Sequence, residues 1–339
     1  MSSSAADDPA IDFEPDPAPL CFDLPVTPSG YAWWYVDVIS DDGAHTLTVI
    51  AFVGSVFSPR YAKARRAGPA DPERHAAINV ALVGQGREHW ALNEHRELER
   101  TRERFSIGRS SLQWQTDARG SHLRIELDEP ETRFFGRRGA PLRGHVRLYP
   151  SALFGPRVEL DRARSGARHR WYPVAPHSRA EVELESPALR FSGSGYHDVN
   201  AGDEGLERGF SSWNWSRAEL DDDRTAILYD LQPRAGASDP RGWIFSAERR
   251  SIVELAPETL GPAHPLPPTR WRVPRAIRSD IGHTPHLIAT LADTPFYSRN
   301  LISVRIAGCE ATAVHESLSL DRFASRFVQF LLRFRTTSP

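Results

Sequence analysis

Residues 31–57 read YAWWYVDVISDDGAHTLTVIAFVGSVF. Aromatic and β-branched side chains crowd both halves, and Asp41-Asp42-Gly43 lies between them. That pattern predicts two strands joined by a hairpin turn, since such residues favour a pleated surface and Asp-Gly pairs tolerate turn backbone angles. If residues 31–40 are extended, Trp33, Tyr35 and Asp37 share one face and Trp34 points the other way.

The strand signal continues in both directions from this hairpin. It recurs at 75–84 (HAAINVALVG), 88–98, 105–117, 122–131 and 142–150. In HLRIELDE, residues 122–129, the alternation puts Leu123, Ile125 and Leu127 on one side. Short strands separated by glycine-containing turns predict an up-and-down antiparallel β domain. Residues 155–187 mix Pro, Gly and Arg and break the pattern, which restarts at Leu189 and runs through 210–220, 224–233, 241–248, 251–257, 270–274 and 286–308. The end, DRFASRFVQFLLRFR at 321–335, fits a last strand or a short helix. The expected fold is all-β, with an acidic, Pro-rich, disordered leader at 1–19, a first β domain at 20–172 and a second at 173–339.

A chain of 339 residues suits about two domains, and 40% hydrophobic content supplies a core for each. A net charge of -2 gives no global attraction to nucleic acid. Cys21 and Cys309 make neither a disulfide framework nor a zinc site. The leader lacks the basic and apolar regions of a secretory signal, and no apolar run approaches the ~18 residues of a spanning helix. The expected compartment is the cytoplasm, with contact to a membrane surface left open. Walker, dinucleotide-binding, HExxH and GxSxG signatures are absent, and the histidines show no metal-ligand spacing. No metal and no cofactor are expected.

The segment with most chemical content is SGSGYHDVN, residues 192–200. In a strand, Tyr196 and Asp198 point the same way. A carboxyl on a buried face has its ionisation suppressed and becomes a general acid near neutral pH; the alternative is a satisfied polar cluster at a strand end. RHRWYP repeats the spacing with His169 and Trp171, a proton relay and a π face for a cation, or simply an anchor for a crossover with a surface histidine. Trp213 and Trp215 share a face in SSWNWSRA, either as a core layer or as a cavity wall. Asp37 and Asp230 are spare acids, each more simply read as solvated. Arg60, Lys63, Arg65 and Arg66 form a basic segment, a solvated loop or a contact for anionic headgroups.

Several segments together resemble the acyclic carotenoid 1,2-hydratases, also called hydroxyneurosporene synthases, of purple photosynthetic bacteria. The resemblance rests on residues 33–66, NVALVG (79–84), RHRWYPVAP (168–176), GYHDVNAGDEGLERGFSSWNWSRA (195–218), DTPFYSRN (293–300) and HESLSLDRF (315–323), in family order over nearly the whole chain after the leader. It implies a tandem of two lipocalin-like antiparallel β-barrels and addition of water to the terminal 1,2 double bond of acyclic carotenes such as neurosporene and lycopene. The family's His-x-Trp and Tyr-x-Asp pairs fall on His169 and Trp171 and on Tyr196 and Asp198.

On that resemblance, Asp198 is expected to protonate the alkene, with Tyr196 fixing its geometry or sharing its proton. Trp171, with Trp213 or Trp215, faces the tertiary cation, and His169 holds the water and takes its proton. Trp33 and Tyr35 complete the substrate-binding set. The expected partners are the carotenoid, water and a membrane surface, without nucleic acid, at the photosynthetic inner membrane. The site is expected where the two domains meet. The rival readings are a polyene or terpenoid cyclase or isomerase on the same scaffold, a non-catalytic carotenoid binder, and a structural partner in photosynthetic membrane assembly.

Overall fold

The computed structural model describes residues 21–133, 137–162, 166, 168–221 and 223–334; the leader expected at 1–19 lies outside them. The hairpin forms where it was expected. β1 (Tyr31–Ser40) and β2 (His45–Val53) pair antiparallel, with Tyr35 opposite Ile50. Gly43 closes the turn at φ 67°, in the left-handed region that suits glycine. Its N–H donates to the Ser40 carbonyl at 2.8 Å, and Asp42 Oδ1 accepts from the Ala44 N–H at 2.9 Å.

β3 (Ala76–Gly84) and β4 (Arg87–His95) extend this sheet on one side. On the other side β1 pairs with β12 (Ala188–Gly202), and the order continues through β11 (His169–Ser186), β9 (Arg137–Pro150), β8 (Gly120–Arg133), β7 (Ser110–Asp117), β6 (Arg104–Ile107) and β5 (Leu98–Arg100). The two-residue β10 (Val158–Glu159) pairs with β11. β4 comes round against β8, where Asn93 Nδ2 donates to Glu129 Oε2 at 2.7 Å, so the sheet nearly closes into a barrel. A second antiparallel sheet has the order β16 (Ser251–Glu254), β15 (Arg241–Ser246), β14 (Arg224–Pro233), β13 (Phe210–Glu219), β21 (Cys309–Ser319), β20 (Tyr297–Ile306) and β19 (His286–Asp293), and the short β17 (His264–Pro265) and β18 (Ala276–Ile277) pair with each other.

The stretch expected as a break contains β11, at 18 residues the longest strand among the described residues. Pro173 and Pro176 hid it. A proline removes a ladder donor and is tolerated in a sheet at a bulge, and the β11–β12 register shifts between Pro173 and Ala175 and again between Ala175 and Ser178. The division expected between 172 and 173 therefore falls inside a strand of the first sheet, and that sheet runs on to Gly202. Residues 270–274 form no strand. The C-terminal segment takes the helical alternative, as α3 (Leu320–Ala324) and α4 (Arg326–Leu332), with Ser319 and Ser325 capping through their side chains. The basic segment is also helical: α1 (Pro59–Ala67), capped by Ser58, and a single turn, α2 (Leu206–Gly209), leads into β13.

The period of two sorts β1 into two environments. Ala32, Trp34, Val36 and Val38 enter the first barrel with Leu47, Val49, Ala51 and Val53; Trp34 there packs 5.3 Å from Phe105. Tyr31, Tyr35 and Phe52 face the other way, into a layer between the sheets shared with Trp171, Tyr196, Trp213, Trp215 and Tyr229. A third apolar cluster covers the far face of the second sheet.

The small residues ahead of Tyr196 have a steric reason. A Cβ on Gly193 would collide with the backbone carbonyl of Ile39 on β1, whereas one on Gly195 would meet the Leu148 side chain, which can rotate. Gly193→Ala is expected to destabilise the protein by about 1–3 kcal/mol through backbone overpacking. Gly195→Ala should cost less; urea unfolding of both variants measures the difference.

Candidate active site

β12 carries Tyr196, Asp198 and Asn200 on the face turned toward the layer between the sheets. Asp198 sits opposite Tyr35 of β1 and Pro173 of β11, so strands flank it on both sides. It is 2% exposed. Its Oδ2 accepts from the Tyr196 hydroxyl at 2.6 Å and from the Trp171 indole N–H at 2.8 Å. Asn200 Nδ2 lies 3.5 Å from Oδ1. None of these donors is charged. Burial therefore dominates, and it pushes the Asp198 carboxyl up to about 7, against the lowering effect of the Tyr196 and Trp171 hydrogen bonds and with a further push from the Glu316 charge. Burial also raises the Tyr196 hydroxyl well above its ordinary value, which keeps it a donor.

Asp198 and Asn200 open onto a cavity of about 270 Å³ between the two sheets. Its aromatic walls come from both: Trp33, Tyr35, Phe52 and Trp90 from the first, Trp213, Trp215 and Tyr229 from the second. Thr46, Thr48 and Ile50 of β2 line it too, the residues that alternate with those filling the barrel. The far wall is polar. Glu316 Oε1 accepts from the Tyr35 hydroxyl at 2.8 Å, and that hydroxyl accepts from Arg299 Nη1 at 2.7 Å. Arg299 also binds Glu316 and Asp37 directly.

The sequence-derived candidates separate into three groups. Asp198, Trp213, Trp215, Trp33 and Tyr35 all line the cavity. Tyr196 and Trp171 do not line it but hold the Asp198 carboxyl, and the Trp171 ring is enclosed by Tyr229 at 5.0 Å and Trp243 at 5.1 Å. His169 neither lines the cavity nor bonds to Asp198. It is fully buried, with Nδ1 2.9 Å from the Tyr31 hydroxyl, its ring 4.9 Å from Phe210, and Nε2 3.8 Å from Glu204 Oε1. The water-holding role expected of it has no support in this geometry. Asp37, expected to be solvated, is wholly buried and bridges the sheets through Arg299 and Arg217, the latter at 3.3 Å. Asp230 lies outside the cavity and pairs with Arg278 at 2.7 Å.

The cavity residues that the sequence reading passed over include Asn200, Tyr229, Tyr297, Arg299 and Glu316. Three of them sit in DTPFYSRN and HESLSLDRF, segments valued for their resemblance but not for their chemistry. Tyr297 and Arg299 are two apart, the spacing that singled out Tyr196 and Asp198.

An uncharged-donor cradle around a protonatable carboxyl, set against an aromatic cavity between two antiparallel sheets, suits proton transfer to an apolar substrate. Comparison with known proteins narrows this. Residues 49–338 match the family model described as carotenoid hydratase CrtC. The chain is 46% identical over 317 residues to an acyclic carotenoid 1,2-hydratase of Thiocapsa roseopersicina, covering 93% of this chain and 74% of that one. It is 43% identical to the enzyme of that name from Rubrivivax gelatinosus (93% and 75% covered) and 34% identical to that of Rhodobacter capsulatus (85% and 96% covered). The fold is similar to that of an AttH protein from Nitrosomonas europaea, with a TM-score of 0.56, 13% identity, and 85% of this chain and 92% of that one covered. It is also similar to that of kievitone hydratase from Nectria haematococca, with a TM-score of 0.53, 10% identity, and 86% and 90% covered. The chain belongs to the carotenoid hydratase family.

The raised carboxyl has a thermodynamic consequence. Between about pH 4 and about 7 the folded chain keeps the Asp198 proton that the unfolded chain has lost, so this group's contribution to stability declines as pH rises through that window. Asp198→Asn removes the titration. Its melting temperature relative to the parent protein is expected to rise between pH 5 and pH 8, as measured by thermal unfolding of both at each pH.

Proposed function

We propose that this protein adds water across the terminal 1,2 double bond of an acyclic carotene such as neurosporene or lycopene, by acid protonation and capture of a tertiary cation. The observation that carries the reading is the Asp198 carboxyl, pushed up to about 7 by burial and facing an aromatic cavity. Family membership supports the substrate class.

Asp198 gives its proton to C2 of the alkene, forming a C–H bond and leaving the positive charge on C1. Trp213, Trp215 and Trp33 present electron-rich faces to that charge, an attraction worth about 2 kcal/mol or more once water is excluded. Tyr196 and Trp171 hold the carboxyl in one orientation and stabilise the carboxylate that the transfer creates. Water bonds to C1 and must then lose a proton. Glu316, on the cavity wall beside Tyr35 and near enough for its charge to act on Asp198, takes it; the proton afterwards returns to Asp198, whose affinity burial has raised. The sum is one alkene and one water giving one tertiary alcohol. His169 acts at a distance, fixing through Tyr31 the start of the strand that carries Trp33 and Tyr35. The carotene reaches the cavity from the photosynthetic inner membrane, at whose cytoplasmic surface the protein works.

Asp198→Asn keeps the shape and removes the acid. It is expected to lower turnover of lycopene about 10²–10⁴-fold, and the parent enzyme should lose activity about tenfold per pH unit above about 7. Wild-type turnover in the Asn variant would overturn the assignment. Incorporation of one labelled oxygen from ¹⁸O water separates hydration from cyclisation or isomerisation.

The role of Glu316 has its own readout. In deuterated water, Glu316→Gln should still place deuterium in the recovered carotene, since Asp198 remains, while the ratio of hydration to exchange falls at least about tenfold. An unchanged ratio would mean that Asp198 alone handles both protons.

A further inference from the structure

α4 lines the cavity, and that helix is apolar on both sides. Val328 and Leu332 are buried and line the cavity together with Leu331. Phe327 and Phe330 point outward, 60% and 54% exposed, and exposed Arg326 and Arg333 stand at the two ends of the same face. Trp271, 43% exposed, also lines the cavity. These three account for half of the six large hydrophobic side chains exposed among the described residues. A scattered exposed Leu needs no explanation, but exposed aromatic rings gathered beside an apolar cavity mark an interaction site.

α1 packs beside α4, and Phe57, just before it, contacts Phe323 at 6.1 Å and Phe296 at 5.8 Å. α1 buries Tyr61 and Ala62 and turns Arg60, Lys63 and Arg66 to solvent. No carboxylate of the described residues pairs with Lys63 or Arg66, and Arg60 reaches Glu94 only at 3.7 Å. The chain as a whole carries a net charge of -2, yet this edge gathers five basic side chains around the exposed rings.

We propose that α4, α1 and the Trp271 turn form the surface by which this protein docks on an anionic lipid bilayer. The choice of a bilayer rests on the hydratase reading, because a long polyene is held there and α4 and Trp271 also line the cavity. Phe327, Phe330 and Trp271 enter the boundary between headgroups and acyl chains, where aromatic rings are favoured. Arg60, Lys63, Arg66, Arg326 and Arg333 meet phosphate oxygens, each worth about 1 kcal/mol, or roughly fivefold in binding. At seven residues α4 lies along the surface and does not cross it. Docking would bring the cavity to the acyl layer, so the polyene passes from lipid to protein without crossing water.

The test is flotation of the full chain with phosphatidylcholine vesicles, with and without about one-third phosphatidylglycerol. The chain should float with the anionic vesicles, less so at high salt. The Phe327→Ser/Phe330→Ser variant should bind about tenfold more weakly. Lys63→Glu/Arg66→Glu, altered on a different helix, should lose at least about fivefold per charge and lose the preference for phosphatidylglycerol. Both variants should hydrate lycopene delivered in detergent at the parent rate and lycopene held in vesicles more slowly. Failure of the parent chain to float, or parent-like flotation of the phenylalanine variant, overturns the proposal. So does a parent dimer that the phenylalanine variant converts to monomer without any vesicle binding, since a second copy would then own the surface. Flotation is read without turnover, so inactive protein that still floats counts against the hydratase reading and not against the surface.

Discussion

The pairing of β1 with β12 is the constraint on which the rest of the molecule depends. These strands join two up-and-down runs into one sheet, and their ten-residue register runs without a shift from Tyr31 opposite Gly202 to Ser40 opposite Gly193. Because side chains alternate, a single register sends Trp34, Val36 and Val199 into the barrel and Tyr35, Tyr196 and Asp198 into the layer between the sheets. A slip of one residue would exchange the two sets, exposing the acid to the barrel core and emptying the site. Gly193 lets the strands approach closely at one end, and Gly202 accommodates the Tyr31 and His169 rings at the other. Core packing and the position of the Asp198 carboxyl are thus one decision, taken by backbone hydrogen bonds.

The layer between the sheets contains two buried Asp residues under opposite regimes. Asp37 meets two guanidiniums, Arg217 from β13 and Arg299 from β20, so its partners come from the other sheet and the salt bridge joins the two. Asp198 meets only a phenol, an indole and an amide. Desolvation is costly for both. A cationic partner offsets it in the first case, and in the second the proton stays on. The ring of Tyr196 lies between these regimes: its hydroxyl bonds Asp198 and its face lies 5.8 Å from the Arg217 guanidinium. Placing one cation nearer the second carboxyl would turn it into another structural anion.

Much of this was legible in the sequence because it rests on period-two alternation. The opening hairpin, the shared face of Tyr196 and Asp198, and the paired indoles of Trp213 and Trp215 all follow from spacing alone. β11 was hidden because local propensity reads Pro173 and Pro176 as breakers, while its bulges are visible only in three dimensions. The surroundings of His169 were hidden for a related reason. Spacing fixes which face of β11 it occupies, but not that Tyr31, Phe210 and Glu204 close over it. The polar wall was missed because Arg299 and Glu316 lie on neighbouring strands more than a hundred residues beyond Asp198, and only the folding of one sheet over the other brings them to the same cavity.

The size of the chamber governs the order of events on a ligand with two equivalent ends. A volume of about 270 Å³ admits one terminus of a long rod and leaves the remainder outside. For a symmetric polyene the two termini must enter in turn: the first leaves, the molecule reverses, and the second comes in as a new encounter. On the proposed hydration, the mono-alcohol would then be a free species that competes with fresh hydrocarbon for entry.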